Sequence, residues 1–88
     1  MFNIYAEVVC SPPFLYLPQV QQSLKSDYQV SAQNCWHAGN GAYTGEISAD
    51  MLVDAKVPWV ILGHSERRAL CGETNEVVAT KVWRMYYI

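Results

Sequence analysis

Val57-Pro58-Trp59-Val60-Ile61-Leu62-Gly63-His64-Ser65-Glu66-Arg67-Arg68 decides how the rest of the chain is read. Its first seven residues are apolar, β-branched or aromatic and are bounded by Pro and Gly, which predicts a strand. A run apolar at consecutive positions suits a strand buried on both faces, as in a parallel sheet. A histidine follows directly, then a serine able to cap a new helical turn. Ligands of open α/β sheets and closed α/β barrels bind outside the carboxyl ends of the strands, so His64 reads either as a residue placed where chemistry is done or as a structural histidine held by its neighbours. The positive end of a following helix disfavours an imidazolium there. It favours a neutral ring that can donate a hydrogen bond to a carbonyl.

Two comparable runs precede this one. Ala6-Glu7-Val8-Val9-Cys10 is stopped by Ser11-Pro12-Pro13, and Gln29-Val30-Ser31-Ala32-Gln33-Asn34-Cys35 leads into the glycine-punctuated Gly39-Asn40-Gly41. The segments between read as helices. Pro18 suits a first helical position, with Val20 and Leu24 sharing a face. Ser48 is a natural N-cap, with Asp50 in the first turn and Met51, Leu52 and Ala55 turned inward. Thr74 caps a further helix carrying Glu76 near its positive end and Val77, Val78 and Val82 as its apolar residues. The alternation β-α-β-α-β-α implies right-handed crossovers and a parallel sheet. Trp83-Arg84-Met85-Tyr86-Tyr87-Ile88 breaks the pattern, because a helix end there should turn polar. Either a packed helix buries these residues or the chain departs here from its own pattern.

Composition sets the outer bounds. The chain has 88 residues, 51% of them hydrophobic and 16% charged, so it is one domain with a core rather than a disordered segment. A net charge of −2 with no block of like charge argues against nucleic acid as a partner. The longest apolar run is too short to span a bilayer, and the first residues lack the marks of a secretory or transit peptide. Cys10, Cys35 and Cys71 are odd in number and widely spaced, unlike a disulfide framework, which points to the reducing cytosol.

No metal centre is expected. Cys35-x-His37 with Cys71 lacks the paired spacing of a structural zinc site, and His64-x-Glu66 copies half of a zinc deaminase signature without its Pro-Cys-x-x-Cys half. Gly39-Asn40-Gly41-Ala42-Tyr43-Thr44 begins like a dinucleotide fingerprint but places Thr44 at the third glycine, so no nucleotide cofactor is implied. Cys35 and Cys71 read either as inert thiols or as a nucleophile beside a histidine. Glu66-Arg67-Arg68 reads either as a solvated charge cluster or as a source of a charge pair within a site. The loop from Trp36 to Glu46 is long for a βα connection; it reads either as an element that inserts into another surface, which its neutral character with Tyr43 near the tip suits, or as a flexible surface loop.

Three runs together are highly specific. Ala32-Gln33-Asn34-Cys35-Trp36, Gly41-Ala42-Tyr43-Thr44-Gly45-Glu46-Ile47-Ser48 and Trp59-Val60-Ile61-Leu62-Gly63-His64-Ser65-Glu66-Arg67-Arg68 resemble the triosephosphate isomerase family. Ser11-Pro12-Pro13-Phe14 and Gly72-Glu73-Thr74-Asn75-Glu76 are similar to it as well, so the likeness runs from about Glu7 to Val82. The resemblance implies an α/β fold, a partial (β/α)8 TIM barrel of about three consecutive parallel βα units. The whole chain, 1–88, is then a single incomplete barrel segment, since a complete barrel takes roughly 250 residues.

The function so implied is interconversion of dihydroxyacetone phosphate and glyceraldehyde 3-phosphate through an enediolate, in glycolysis and gluconeogenesis, without a cofactor. His64 matches the family's electrophile, a neutral histidine that works beside a glutamate base. Asn34, Ser65 and Glu66 match residues that support it. Tyr43, Thr44, Gly45 and Glu46 match the loop that enters the partner subunit of a cytoplasmic homodimer. The partners implied are a small phosphorylated triose and a second subunit, with no nucleic acid and no membrane. The family's Asn-x-Lys strand, whose lysine holds the substrate phosphate, has no counterpart before Ala6, and its glutamate base falls beyond these residues. Negligible turnover by the chain alone is expected. The other reading is a non-catalytic fragment acting as an interaction or assembly module, through exposed strand edges or the 41–46 loop.

Overall fold

The computed structural model describes residues 7–87; Ala6, placed by the sequence in the first strand, and Ile88 lie outside them. Three strands, β1 (Val8–Cys10), β2 (Tyr28–Ala32) and β3 (Trp59–Val60), form one parallel sheet in the order β1-β2-β3. Val9 pairs with Gln29 and Cys10 with Val30 on one side of β2, and Ser31 pairs with Trp59 and Ala32 with Val60 on the other. A 3-10 turn at Phe14–Tyr16 runs into α1 (Leu17–Ser23), which connects β1 to β2. Helix α2 (Ala49–Asp54) precedes β3, and α3 (Ser65–Leu70) and α4 (Asn75–Tyr86) follow it.

The strands are shorter than the apolar runs suggest, for local reasons. Pro58 has no N–H to offer a ladder, so β3 starts at Trp59 although Val57 is already buried in the core. Beyond Ala32, one more bond from Ile61 N–H to the Ala32 carbonyl at 2.9 Å closes the β2–β3 contact, and residues 33–35 leave the sheet. Gln33 then ties the strand ends together, its side-chain amide donating to the Ser11 carbonyl at 2.9 Å. Burial on both faces holds for β2 alone. Val30 and Ala32 pack on one face, Ser31 is buried on the other, and Val8 and Trp59 on the outer strands stay exposed.

The core gathers around β2: Leu17 from α1, Val30 and Ala32, Cys35, Leu52 from α2, and Val57. The expected caps form. Ser48 Oγ accepts from Met51 N–H at 3.1 Å and Thr74 Oγ1 from Val77 N–H at 3.3 Å. Pro18 lies in the first turn of α1. In α2 the inward residues are Ala49 and Leu52, three apart on one face, whereas Met51 and Ala55 point to solvent, contrary to the sequence reading. Helix α2 ends with Lys56 in the left-handed region at φ 59°, and Gln21 on α1 donates to the carbonyls of Ala55 and Lys56 at 3.2 and 2.9 Å.

Candidate active site

The carboxyl ends of β2 and β3 open into a cavity of about 610 Å³, lined by Ser11 and Phe14 after β1, Gln33, Asn34 and Cys35 after β2, and His64, Glu66 and Arg67 after β3. Gly45 and Glu46 from the long loop reach its wall. Of the residues singled out in the sequence, His64, Asn34, Glu66, Gly45 and Glu46 therefore share one cavity. Ser65 is exposed at the start of α3, and Tyr43 and Thr44 are exposed on the loop.

His64 caps α3 itself, the role the sequence reading gave to Ser65. Its Nδ1 accepts a hydrogen bond from Glu66 N–H at 3.0 Å, with His64 extended at φ −59° and ψ 143°. A peptide N–H can only donate, so Nδ1 must present a lone pair, and the neutral ring carries its proton on Nε2. That bond fixes both tautomer and ring orientation. Gly63 makes the turn that sets His64 at the strand end: φ is 71°, and a Cβ there would meet Val78 Cγ1 at 3.0 Å and the Arg68 guanidinium at 3.1 Å.

The charged trio divides. The Glu66 carboxylate is largely in solvent, as a solvated charge would be. The arginines are not free. Arg68 donates to the Gly63 carbonyl at 2.9 Å and to Asn75 Oδ1 at 2.7 Å, bracing the turn before His64. Arg67 Nε donates to Glu73 Oε2 at 3.1 Å.

The same Glu73 oxygen accepts from Lys81, a lysine only 1% exposed. Lys81 Nζ also donates to Asn34 Oδ1 at 2.8 Å. One buried ammonium thus joins the segment after β2, the connection before α4, and α4 itself. Burial pushes the Glu73 carboxyl up, but its hydrogen bonds and charge contacts with Lys81 and Arg67 outweigh that and hold it below the usual range. Asn34 anchors a charge here. Sequence reading missed Glu73 and Lys81, although a signal existed: Val77, Lys81 and Met85 recur every fourth residue, which puts a lysine in the inward stripe of α4.

Cys35 belongs to the core. Burial raises its thiol pKa, Lys81 lowers it and Glu73 raises it, for a net upward shift, which is the opposite of an activated nucleophile. The loop folds against its own base, with Trp36 N–H donating to the Ile47 carbonyl at 2.7 Å and the Tyr43 ring 5.5 Å from that of Trp36.

A family model for triosephosphate isomerase matches residues 2–87. The chain is 60% identical over 76 residues to a cytosolic triosephosphate isomerase of Oryza sativa subsp. japonica, covering 86% of this chain and 30% of that protein. It is 54% identical over 79 residues to the cytosolic triosephosphate isomerase of Stellaria longipes, covering 90% of this chain and 31% of that protein. A chloroplastic triosephosphate isomerase of Secale cereale is 55% identical over 75 residues, 85% of this chain and 25% of that one. The chain thus spans between a quarter and a third of the length of these relatives. With a family model matched across nearly its whole length, and with a parallel sheet flanked by helices as its fold, the chain belongs to the triosephosphate isomerase family as a partial α/β barrel.

Proposed function

We propose that these residues supply the electrophilic part of a triosephosphate isomerase site, acting on dihydroxyacetone phosphate and glyceraldehyde 3-phosphate. The observation that carries this reading is the bond from Glu66 N–H to His64 Nδ1 at the end of β3. It leaves Nε2–H as the donor for a substrate carbonyl. When a base removes the carbon-bound proton, negative charge grows on that oxygen, and a donor already aimed at it stabilises the enediolate without reorganising. A proton then returns to the neighbouring carbon while the hydroxyl proton passes to the former carbonyl oxygen, a transfer between the two oxygens that the His64 ring relays, so hydrogen moves within one molecule and no cofactor is called for. Glu66 orients the ring through its backbone, Ser65 starts the helix that presents it, and Asn34 holds the opposite wall through Lys81.

The base and the phosphate-binding lysine belong, by resemblance, to barrel units outside these 88 residues. The loop Tyr43–Glu46 is proposed as the family's dimer contact and the cytosol as the compartment, following the names of the rice and Stellaria relatives. The test is a transplant: residues 7–82 replace the matching segment of the rice enzyme, and turnover is measured with and without His64→Ala. A fall in kcat of about 10²–10³-fold is expected, the usual effect of removing an oxyanion donor. A variant within tenfold of its parent would refute the assignment. Turnover by the 88-residue chain alone, lost in His64→Ala, would refute the need for outside residues.

A further inference from the structure

Arg68 holds both peptides that flank His64. Its backbone N–H donates to the His64 carbonyl at 3.1 Å, closing the first turn of α3, and its side-chain Nε donates to the Gly63 carbonyl at 2.9 Å. The guanidinium is itself held, because Nη1 donates to Asn75 Oδ1 at 2.7 Å. Asn75 is the first residue of α4, where Thr74 already serves as the cap, so its side chain is free for this contact. Resting on the reading of His64 as the electrophile, we infer that Arg68 is a positioning residue for the reaction. Braced by Asn75, it fixes the Gly63–His64 peptide and so aims Nε2–H at the substrate carbonyl.

The peptide in front of His64 needs such a hold. Gly63 has φ 71° and no side chain to limit rotation about its backbone bonds. The Glu66 N–H on Nδ1 and the Arg68 N–H on the His64 carbonyl both belong to α3, so they fix the histidine relative to that helix. The Arg68 guanidinium ties the helix back to the turn that leaves β3, and Asn75 ties it to α4. The lever is long. Nε2 of a histidine lies about 5 Å beyond the Cα, so a tilt of about 10° at this peptide carries it nearly 1 Å aside. A misplacement of that size costs a reaction up to about 100-fold. Both acceptors are uncharged, so the requirement is for donors in two fixed directions rather than for a positive charge. The planar guanidinium supplies them, whereas a lysine ammonium is a single point.

Amide hydrogen exchange on the full 88-residue chain reads the hold on the ring. Arg68→Met speeds exchange of the Glu66 N–H by about threefold or more, while the Met51 N–H, capped by Ser48 on α2, is unchanged. Turnover is read in the rice enzyme carrying residues 7–82. There Arg68→Met lowers kcat by about 10–100-fold with KM within about twofold, and Arg68→Lys, which keeps the charge, lowers it nearly as far. Asn75→Ala lowers kcat by less. Added to His64→Ala, Arg68→Met costs no more than about twofold further, since there is no ring left to aim. If Arg68→Met fails to fold, Arg68→Lys carries both measurements. A kcat within about twofold of the parent in the Arg68 variants overturns the proposal and leaves the electrophile reading standing. So does a raised KM at unchanged kcat, equal acceleration of exchange at Met51 and Glu66, or an Arg68 effect that multiplies in full with that of His64→Ala. His64→Ala without effect overturns the electrophile reading and this inference with it.

Discussion

Glu73→Gln should be the most damaging conservative substitution in the described residues. Glu73 Oε2 accepts from both Lys81 and Arg67, its side chain is 7% exposed, and Lys81 is buried deeper still. Removing one partner of a buried ion pair costs about 3–5 kcal/mol, because the other charge stays out of water unneutralised. Arg67 is about a third exposed, so its share is that of a surface pair, under about 1 kcal/mol. Lys81→Met should cost less, about 2–3 kcal/mol, since Glu73 retains Arg67 and the methionine fills the stem's space. The double variant Glu73→Leu/Lys81→Met should be less destabilised than the two single effects summed, as no buried charge is left.

Urea unfolding followed by circular dichroism reads all of these. With a slope of about 1.5 kcal/mol per molar, a loss of about 3 kcal/mol lowers the midpoint by about 2 M. Acid gives an independent check. The folded carboxyl titrates below its unfolded value of about 4.5, so the stability it contributes is whole above that pH and drains as pH falls through the lowered folded value. Glu73→Gln should lack this acid limb. Equal urea midpoints for Glu73→Gln and wild type, or parallel acid limbs, would refute the reasoning.

Two further substitutions test the backbone around the site. Gly63→Ala forces a side chain into a left-handed residue already touching Val78 and Arg68, and should cost about 1–3 kcal/mol in urea unfolding while disturbing the His64 ring signals in NMR spectra. Lys56→Gly relieves a left-handed lysine at the end of α2 and should raise stability by roughly 0.5–1 kcal/mol, seen as a higher melting temperature.

The elements that local chemistry specifies were legible in the sequence. Ser48 and Thr74 announce their helices because an N-cap is a one-residue decision, and Gly63-His64 announces a strand end because only the turn residue and its neighbour are needed. Strand lengths were not legible. They depend on how far β2 runs beside each neighbour, which is a pairing between residues 20 apart for β1 and 28 apart for β3. The buried cluster was half legible. Asn34 stood out through its motif, but its partner Lys81 lies 47 positions away on α4, and a lysine reads as surface unless the helical stripe is followed through it. Ser65 reads as the cap because serine is the usual one. The histidine does the same work with a ring nitrogen.

The central claim is that His64 is held with its Nδ1 lone pair engaged and its proton on Nε2. Long-range proton–nitrogen NMR correlation on the nitrogen-15-labelled chain in alkaline buffer, with His37→Asn removing the second histidine, measures this directly. A pyridine-type Nδ1 and a protonated Nε2 are expected, as the bond from Glu66 N–H requires. A proton on Nδ1 would contradict the account, because that ring could neither cap α3 nor present Nε2–H to a substrate carbonyl.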